Sequence, residues 1–178
     1  MRADASRLVV VDVQQRLVPA MHDATRVVDA CAWLVGVAQR LGVPVAVTEQ
    51  YPQGLGATVE PLRALVPAEA IAAKIAFSCA EGGCLDALPG ADRAQVVLAG
   101  IEAHVCVLQS ALGLAATGRE VFVVGDAVDS RDPQSRHFAL ERLRHAGVAV
   151  VTREMVAFEW LQRAGTDAFR SISREFLR

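Results

Sequence analysis

Six short apolar runs, rich in β-branched residues and separated by longer amphipathic stretches, constrain the fold of this chain more than any other feature. The runs cover residues 8–13, 43–48, 71–75, 94–100, 120–128 and 148–152. A continuous apolar run of this length is typical of a strand that is covered on both faces. Strands that alternate with helices form βαβ units, whose right-handed crossovers put helices on both sides of a parallel sheet. We therefore predict an α/β fold, a three-layer αβα sandwich around about six parallel strands.

The segments between the runs carry apolar residues at helical spacing. The predicted helices cover residues 23–41, 83–88, 105–117, 133–146, 154–162 and 166–177. Gly42, Gly118 and Gly147 directly follow three of them and are typical stop signals. Residues 49–58 are rich in glycine and proline and are predicted to form a loop. No repeat or linker interrupts the 178 residues, so we predict one domain over residues 1–178.

Charge, hydropathy and cysteine spacing narrow the classes of function. A formal net charge of −2 without a Lys/Arg cluster argues against nucleic acid and anionic membranes as partners. No apolar stretch reaches the roughly 18 residues of a membrane span, and the N-terminus lacks the apolar core of a signal peptide. The four cysteines have no zinc-site spacing, so we expect free thiols in a cytoplasmic protein. A hydrophobic content of 53% and two C-terminal segments, "FEWLQRAG" and "FRSISREFLR", favour a homo-oligomer.

Parallel sheets bind ligands at the edge where the carboxyl ends of their strands meet. Three side chains suited to nucleophilic catalysis are predicted to lie at this edge. Asp12 ends the first run, Lys74 lies near the end of the third, and Cys106 follows the fourth. A buried lysine needs a counter-charge, which Asp12 would supply. Cys106 stands at the start of a helix, where the dipole favours a thiolate, the form that attacks a carbonyl carbon. Asp12 is then the candidate base, Lys74 the electrostatic stabiliser and Cys106 the nucleophile.

Each of these residues also has a structural interpretation that the sequence leaves open. Cys106 could be a small buried apolar side chain, Asp12 a helix cap, and Lys74 a strand-end lysine whose ammonium reaches water. His104 is a rival base, although side chains two apart in a helix point to different faces. The "DSRD" segment at residues 129–132, after the fifth strand, is expected to serve loop structure and helix capping.

The residues around the predicted edge suggest a pocket for a small-molecule substrate. "QYPQGLG" places Gln50 and Tyr51 after the second strand, and Gln14, Phe77 and His104 are further pocket candidates. No Gly-x-Gly-x-x-Gly follows the first strand, which disfavours a dinucleotide site. We predict no cofactor.

Four separated stretches together carry a resemblance to a known family. They read "LVVVDVQQRLVPAM", "TEQYPQGLGATV", "AKIAFSC" and "LAGIEAHVCVLQSALGLAATGREVFVVGDAVDSR". In this order, over roughly residues 8–153, they resemble the isochorismatase-like cysteine hydrolase superfamily. "TEQYPQGLG" is most similar to the subgroup of isochorismatase domain-containing proteins. The resemblance implies a six-stranded parallel sheet, for which the strand order 3-2-1-4-5-6 is expected.

The resemblance also implies the residues of a site. It implies an Asp–Lys–Cys triad, carried here onto Asp12, Lys74 and Cys106. It implies a cis peptide bond between Ile101 and Glu102, and an oxyanion hole formed by the backbone N–H groups of Glu102 and Cys106. Relatives often carry a small or neutral residue in place of Glu102, whose side chain either points away or selects a basic substrate group.

Departures from the family pattern bear on the chemistry. Relatives that hydrolyse nicotinamide hold a metal through histidines after the second strand, whereas "EQYPQGLG" contains none, so no metal is expected. Isochorismatase itself cleaves a vinyl ether without a thiol at the triad position, whereas this chain has Cys106. We predict a hydrolase of small amide-like C–N bonds that acts through a Cys106 thioester. Two alternatives stay open: hydrolysis of a vinyl ether or ester with Cys106 as a bystander, and an oligomeric binding protein without turnover.

Overall fold

Every predicted apolar run contains a strand of the sheet. The strands are β1 (Ser6–Val11), β2 (Val45–Gln50), β3 (Ile71–Lys74), β4 (Gln95–Ile101), β5 (Glu120–Asp129) and β6 (Ala149–Val151). In the computed structural model, which describes residues 1–177, they form one sheet in the order β3-β2-β1-β4-β5-β6. Neighbouring strands are parallel throughout. The predicted strand order and the all-parallel αβα architecture are therefore confirmed.

The helices cover both faces of the sheet. They are α1 (Ala24–Arg40), α2 (Pro52–Leu55), α3 (Glu60–Arg63), α4 (Leu108–Ala116), α5 (Pro133–His145), α6 (Arg153–Leu161) and α7 (Asp167–Phe176). One apolar core joins the sheet to α1, α6 and α7, and the other joins it to α4 and α5. Alternate residues of β1 divide between the two cores, as expected for a strand covered on both faces. No helix within the described residues is both long and apolar enough to cross a membrane.

Two predicted segments differ from the structure. Residues 83–88 form turns rather than a helix, because Gly82 and Gly83 have φ of +65° and +70° and the backbone bonds there span only three residues. Residues 49–58 are not a loop throughout: β2 continues to Gln50, and Pro52–Leu55 forms one helical turn. Proline at the first helical position needs no N–H partner, which favours this turn.

Gly100 allows β4 to approach β1 closely at the carboxyl edge of the sheet. Its φ is +111°, and a Cβ built on it would lie 2.1 Å from the Val11 carbonyl oxygen. Only glycine accommodates this approach. Because Asp12 follows Val11 and Cys106 follows β4, the contact brings the two chain segments of the predicted site together.

Candidate active site

Asp12 and Lys74 form a buried ion pair at the carboxyl edge of the sheet. Lys74 Nζ donates to Asp12 Oδ2 at 2.7 Å, and the two side chains are 3% and 0% exposed. Thr48 Oγ1 donates to the other carboxylate oxygen, Oδ1, at 2.7 Å. Because the hydroxyl and the ammonium hold different oxygens, the carboxylate is fixed in one orientation. The sequence-based prediction that Asp12 pairs with Lys74 agrees with this geometry.

The backbone at Asp12 turns sharply as it leaves β1. Its φ of +54° lies in the left-handed region, which Asp tolerates better than most residues with a side chain. The Asp12 N–H still donates to the Thr48 carbonyl at 3.0 Å. The turn therefore extends the contact with β2 and keeps the Asp12 carboxylate at the strand end.

The Lys74 ammonium is surrounded by acceptors. In addition to Asp12, Nζ contacts Gln50 Oε1 at 2.7 Å and the Phe77 carbonyl at 3.0 Å. Gln50 Nε2 in turn donates to the Ile75 carbonyl at 2.7 Å. Gln50, predicted to line a pocket, thus holds Lys74 and the chain that follows β3.

The side-chain amide of Gln14 is hydrogen-bonded to backbone groups rather than free. Its Nε2 donates to the carbonyls of Gln50 and Gly56 at 3.0 and 2.6 Å, and its Oε1 accepts from the Gln50 N–H at 2.7 Å. The side chain is fully buried. It therefore joins the segment after β1 to the end of β2, which carries Gln50 to Lys74.

Cys106 lies within the π-helical turn Ala103–Val107, which leads directly into α4. It is 5% exposed, and Asp12 and Lys74 both act on its thiol. Burial is the main reason that the pKa of Cys106 is raised to about 12; Asp12 raises this pKa further, and Lys74 lowers it. Burial therefore opposes the thiolate that the start of a helix would favour. A neutral thiol needs a base before it can attack.

This environment predicts how the Cys106 pKa responds to mutation. Asp12→Asn removes the charge that raises the pKa and leaves Lys74, which lowers it, so the pKa is expected to fall. The rate of Cys106 alkylation by iodoacetamide, followed by peptide mass spectrometry from pH 6 to 10.5, should level off in the variant and still rise in the wild type. Lys74→Met is the matched control and should not lower the apparent pKa. An unchanged profile in Asp12→Asn would mean that the carboxylate does not act on the thiol.

Glu102 is held by Arg131, a contact that the sequence does not reveal. The peptide bond between Ile101 and Glu102 is cis. Arg131 donates to the Glu102 carboxylate from Nε at 3.0 Å, from Nη2 at 2.6 Å and from its backbone N–H at 3.1 Å. Burial would raise the pKa of Glu102, but the Arg131 hydrogen bonds outweigh it and lower the pKa. The Glu102 carbonyl accepts the N–H groups of Val105 and Val107, so the residue begins the turn that carries Cys106.

The side chains of the remaining predicted pocket residues, His104, Tyr51 and Phe77, form no hydrogen bond with Asp12 or Lys74 in the described part of the chain. His104 Nδ1 lies 2.9 Å from Ser130 Oγ, so this ring nitrogen already has a hydrogen-bond partner. Tyr51 and Phe77 are half exposed. A cavity of about 510 Å³ adjoins Lys74, with Pro52, Ala76 and Glu81 also in its wall. None of the five predicted pocket residues lines this cavity, although Pro52 and Ala76 are sequence neighbours of Tyr51 and Phe77.

The edge of the sheet thus brings together a carboxylate, an ammonium and a thiol. Among residues 1–177, no group of three or more His, Cys, Asp or Glu side chains is placed to hold a metal ion. Thr48 and Arg131 are the contributors that the sequence analysis did not identify as part of a site. The end of a strand at Thr48 was visible in the sequence, whereas the pairing of Arg131 with Glu102 depends on how β4 and β5 lie side by side.

Comparison with known proteins identifies the family of the chain. Residues 6–155 match the isochorismatase domain. The chain is 38% identical to isochorismatase domain-containing protein 2 of Danio rerio over 172 residues, 95% of this chain and 85% of that protein. It is also 38% identical to isochorismatase domain-containing protein 1 of Danio rerio, over 90% of this chain and 57% of that protein. The chain thus spans little more than half the length of protein 1.

A solved structure extends the similarity to the whole fold. The MAR1 ribonuclease from Caenorhabditis elegans superposes with a TM-score of 0.92 at 33% sequence identity, over 100% of this chain and 92% of that one. The domain match includes all six strands and the segments that carry Asp12, Lys74 and Cys106. With most of its length matched in both sequence and fold, the chain belongs to the isochorismatase family.

Proposed function

We propose that the protein is a cysteine hydrolase that cleaves a small, amide-like C–N bond through a thioester on Cys106. The observation that carries the proposal is the buried thiol beside the Asp12–Lys74 ion pair. Membership of the isochorismatase family supports a hydrolase. Purely structural roles explain the set less well, because a buried ion pair adds little to stability over well-packed apolar residues.

The proposed reaction begins with transfer of the Cys106 proton to Asp12. The sulfur then forms a bond to the carbonyl carbon, and the carbonyl electron pair moves onto the oxygen. Collapse of this intermediate breaks the C–N bond, and Asp12 gives its proton to the departing amine. Water then attacks the thioester carbon and gives a proton to Asp12. Collapse of this second intermediate breaks the C–S bond and releases the acid product, and Asp12 returns its proton to the sulfur. Lys74 keeps its ammonium beside Asp12 and stabilises the negative charge as it moves to sulfur.

The oxyanion would be held by the backbone N–H groups of Glu102 and Cys106, which remains part of the proposal. Support comes from the way Glu102 is fixed, by Arg131 at its carboxylate and by two helical N–H groups at its carbonyl. A preorganised donor of this kind contributes about 3 kcal/mol to the transition state. The Glu102 carboxylate is engaged by Arg131, so selection of a basic substrate group by Glu102 is not part of the proposal.

Arg131 is expected to position Glu102 for the reaction. Arg131→Met removes two charge-assisted hydrogen bonds and should lower kcat roughly tenfold to hundredfold while changing KM little. Steady-state kinetics measure both constants, and Arg131→Lys should recover part of kcat. Arg163→Met, at an exposed position away from the site, is the control. A loss confined to thermal stability, with kcat unchanged, would assign Arg131 a structural role alone.

The name of the structural neighbour raises a second candidate, hydrolysis of RNA. The phosphodiester backbone attracts proteins mainly through lysine and arginine. This chain has a net charge of −2, and Lys74 is engaged by Asp12. We therefore favour a small neutral substrate over RNA.

A substrate panel tests the proposal directly. It contains neutral primary amides and carbamoyl compounds, vinyl ethers, simple esters and a single-stranded RNA, with products followed by mass spectrometry. We expect turnover of an amide or carbamoyl compound that Cys106→Ala abolishes. Ether or ester hydrolysis that survives Cys106→Ala but not Asp12→Ala would instead support the bystander mechanism. Cleavage of RNA alone, or binding without turnover of any compound, would also overturn the proposal.

The predicted homo-oligomer remains a proposal about assembly. Met155 and Phe158 on α6 expose about half of their surfaces, a feature that suits a contact between copies. Sedimentation at micromolar concentration is expected to show a species larger than the 19.0 kDa chain. A monomer under those conditions would contradict the prediction.

A further inference from the structure

Arg7 is a buried arginine at the amino end of β1, near the edge of the sheet opposite to the one that carries Asp12. The residue is 2% exposed. Every second residue of a strand points to the same face, so Arg7 shares a face with Val9 and Val11 of β1. That is the face of the sheet covered by α4 and α5. Its Nη1 donates to the Leu85 carbonyl at 3.1 Å, whereas its Nε has no hydrogen-bond partner among residues 1–177.

This arrangement leaves most of the hydrogen-bonding capacity of Arg7 unused. A guanidinium has five N–H donors and stays charged in proteins, and a buried charge is costly unless it is paired. Burial and the neighbouring Arg119 both lower the pKa of Arg7. One neutral carbonyl does not compensate such a charge, so an anionic acceptor would complete the environment of Arg7.

Arg7 and Arg119 line the same cavity. The cavity measures about 200 Å³ and is also lined by Cys79, Asp86 and Thr117. Arg119 directly precedes β5, and it donates to the carbonyls of Ala91 and Arg93. These bonds hold its guanidinium at the cavity wall while leaving it charged. Two fixed guanidinium groups at one small cavity form a recognised type of oxyanion site.

The carboxylates near the cavity compensate Arg7 only partly. Asp86 and Asp92 act on Arg7 through space, after the larger effects of burial and Arg119. Asp86 lines the cavity but is exposed to solvent. Two arginines and one aspartate therefore leave the lining with a net positive charge.

We propose that this cavity binds a small tetrahedral oxyanion, such as inorganic phosphate or sulfate, between Arg7 and Arg119. A volume of about 200 Å³ corresponds to roughly six or seven water molecules, which suits a single oxyanion with part of its hydration shell. The site lies apart from Cys106 and goes beyond the proposed hydrolase activity.

Inorganic phosphate is the probe for this site, and its binding is followed by titration calorimetry and by thermal unfolding. Sodium chloride keeps the ionic strength constant as phosphate is added. We expect one phosphate per chain and a Tm that rises with phosphate until the site is saturated. Glycerol phosphate forms a second arm. Tighter binding of the ester than of phosphate would identify the oxyanion as part of a larger molecule, and weaker binding would identify the free ion.

Three substitutions distinguish a built site from a general salt effect. Arg119→Met and Arg7→Met should weaken phosphate binding at least about tenfold, and Asp86→Asn should strengthen it, because it removes the opposing charge. Methionine suits the buried position of Arg7, so Arg7→Met is expected to fold and to keep an undiminished Tm without phosphate. Arg163→Met, at an exposed position that does not line the cavity, is the control and should bind like the wild type.

The same experiment can overturn the inference. Phosphate also stabilises proteins by exclusion from their surfaces. An equal rise of Tm in the wild type, Arg7→Met and Arg119→Met would assign the whole effect to exclusion. Heat of binding that is absent in the wild type, or unaffected by all three substitutions, would show that the cavity is not an oxyanion site.

Discussion

Replacement of Cys106 by alanine is expected to reduce kcat/KM for an amide substrate by about four orders of magnitude. The thiol sulfur forms the bond to the substrate in the proposed reaction. Asp12 and Lys74 act on Cys79 and Cys84 through space only, whereas their effect on Cys106 includes side-chain hydrogen bonding. Cys31 is fully buried between α1 and the sheet, where burial raises its pKa to about 12. It donates to the Ala127 carbonyl rather than to a site residue.

The matched control for Cys106→Ala is Cys31→Ala. It should keep full turnover and lose only stability, because it removes a buried side chain in the core. Circular dichroism and thermal unfolding should show that Cys106→Ala remains folded, since the side chain is small and partly faces the site. Full activity in a folded Cys106→Ala protein would exclude the thioester and support the ether or ester alternative.

Replacement of Asp12 by asparagine is expected to lower kcat about 10²- to 10⁴-fold. Asparagine keeps the shape of the side chain and an oxygen that can accept from Lys74 or Thr48. It cannot accept the thiol proton or protonate the amine. The loss should therefore appear mainly in kcat, measured by steady-state kinetics, with KM changed much less.

Thr48→Val is the companion variant for Asp12. It removes the hydroxyl that holds Oδ1 and leaves the carboxylate charge and its contact with Lys74. Its effect on kcat should be well below that of Asp12→Asn, because only orientation is lost. If Asp12→Asn retains wild-type kcat, Asp12 is not the base, and His104, the other base considered, becomes the candidate for mutation.

Much of the architecture follows from local patterns in the sequence. The β-branched run at the start of the chain alternates between two apolar cores, so a buried parallel strand was predictable from residues 8–13 alone. Asp12 and Lys74 were recognisable because each is a charge at the end of an apolar run. Their pairing follows from the rule that the carboxyl ends of parallel strands share one edge.

Other features depend on contacts between residues that are far apart in the sequence, which no local pattern reports. Arg131 reaches Glu102 only because the carboxyl end of β5 pairs with that of β4 across an irregular register. Gln14 does not line the cavity beside Lys74; its amide instead matches three backbone groups that meet only after folding. No helix forms at residues 83–88 because left-handed glycines stand directly before it and at its first position, Gly82 and Gly83, and apolar spacing does not report this preference.

The protonation state of the Cys106 thiol also could not be predicted from local sequence. Position at a helix start favours a thiolate, but the opposing effect of burial can be judged only from the folded chain. The raised pKa of Cys106 supports the role proposed for Asp12, that of the base which a neutral thiol requires.

The central claim is that Cys106 is the nucleophile, and acid-quenched acylation by p-nitrophenyl acetate tests it most directly. Exposure alone would favour Cys84, which is partly exposed while the other three cysteines are buried. Peptide mass spectrometry after brief reaction of the folded protein should find the acetyl thioester almost entirely on Cys106. Acetylation mainly on Cys84, or spread equally over Cys31, Cys79 and Cys84, would contradict the account.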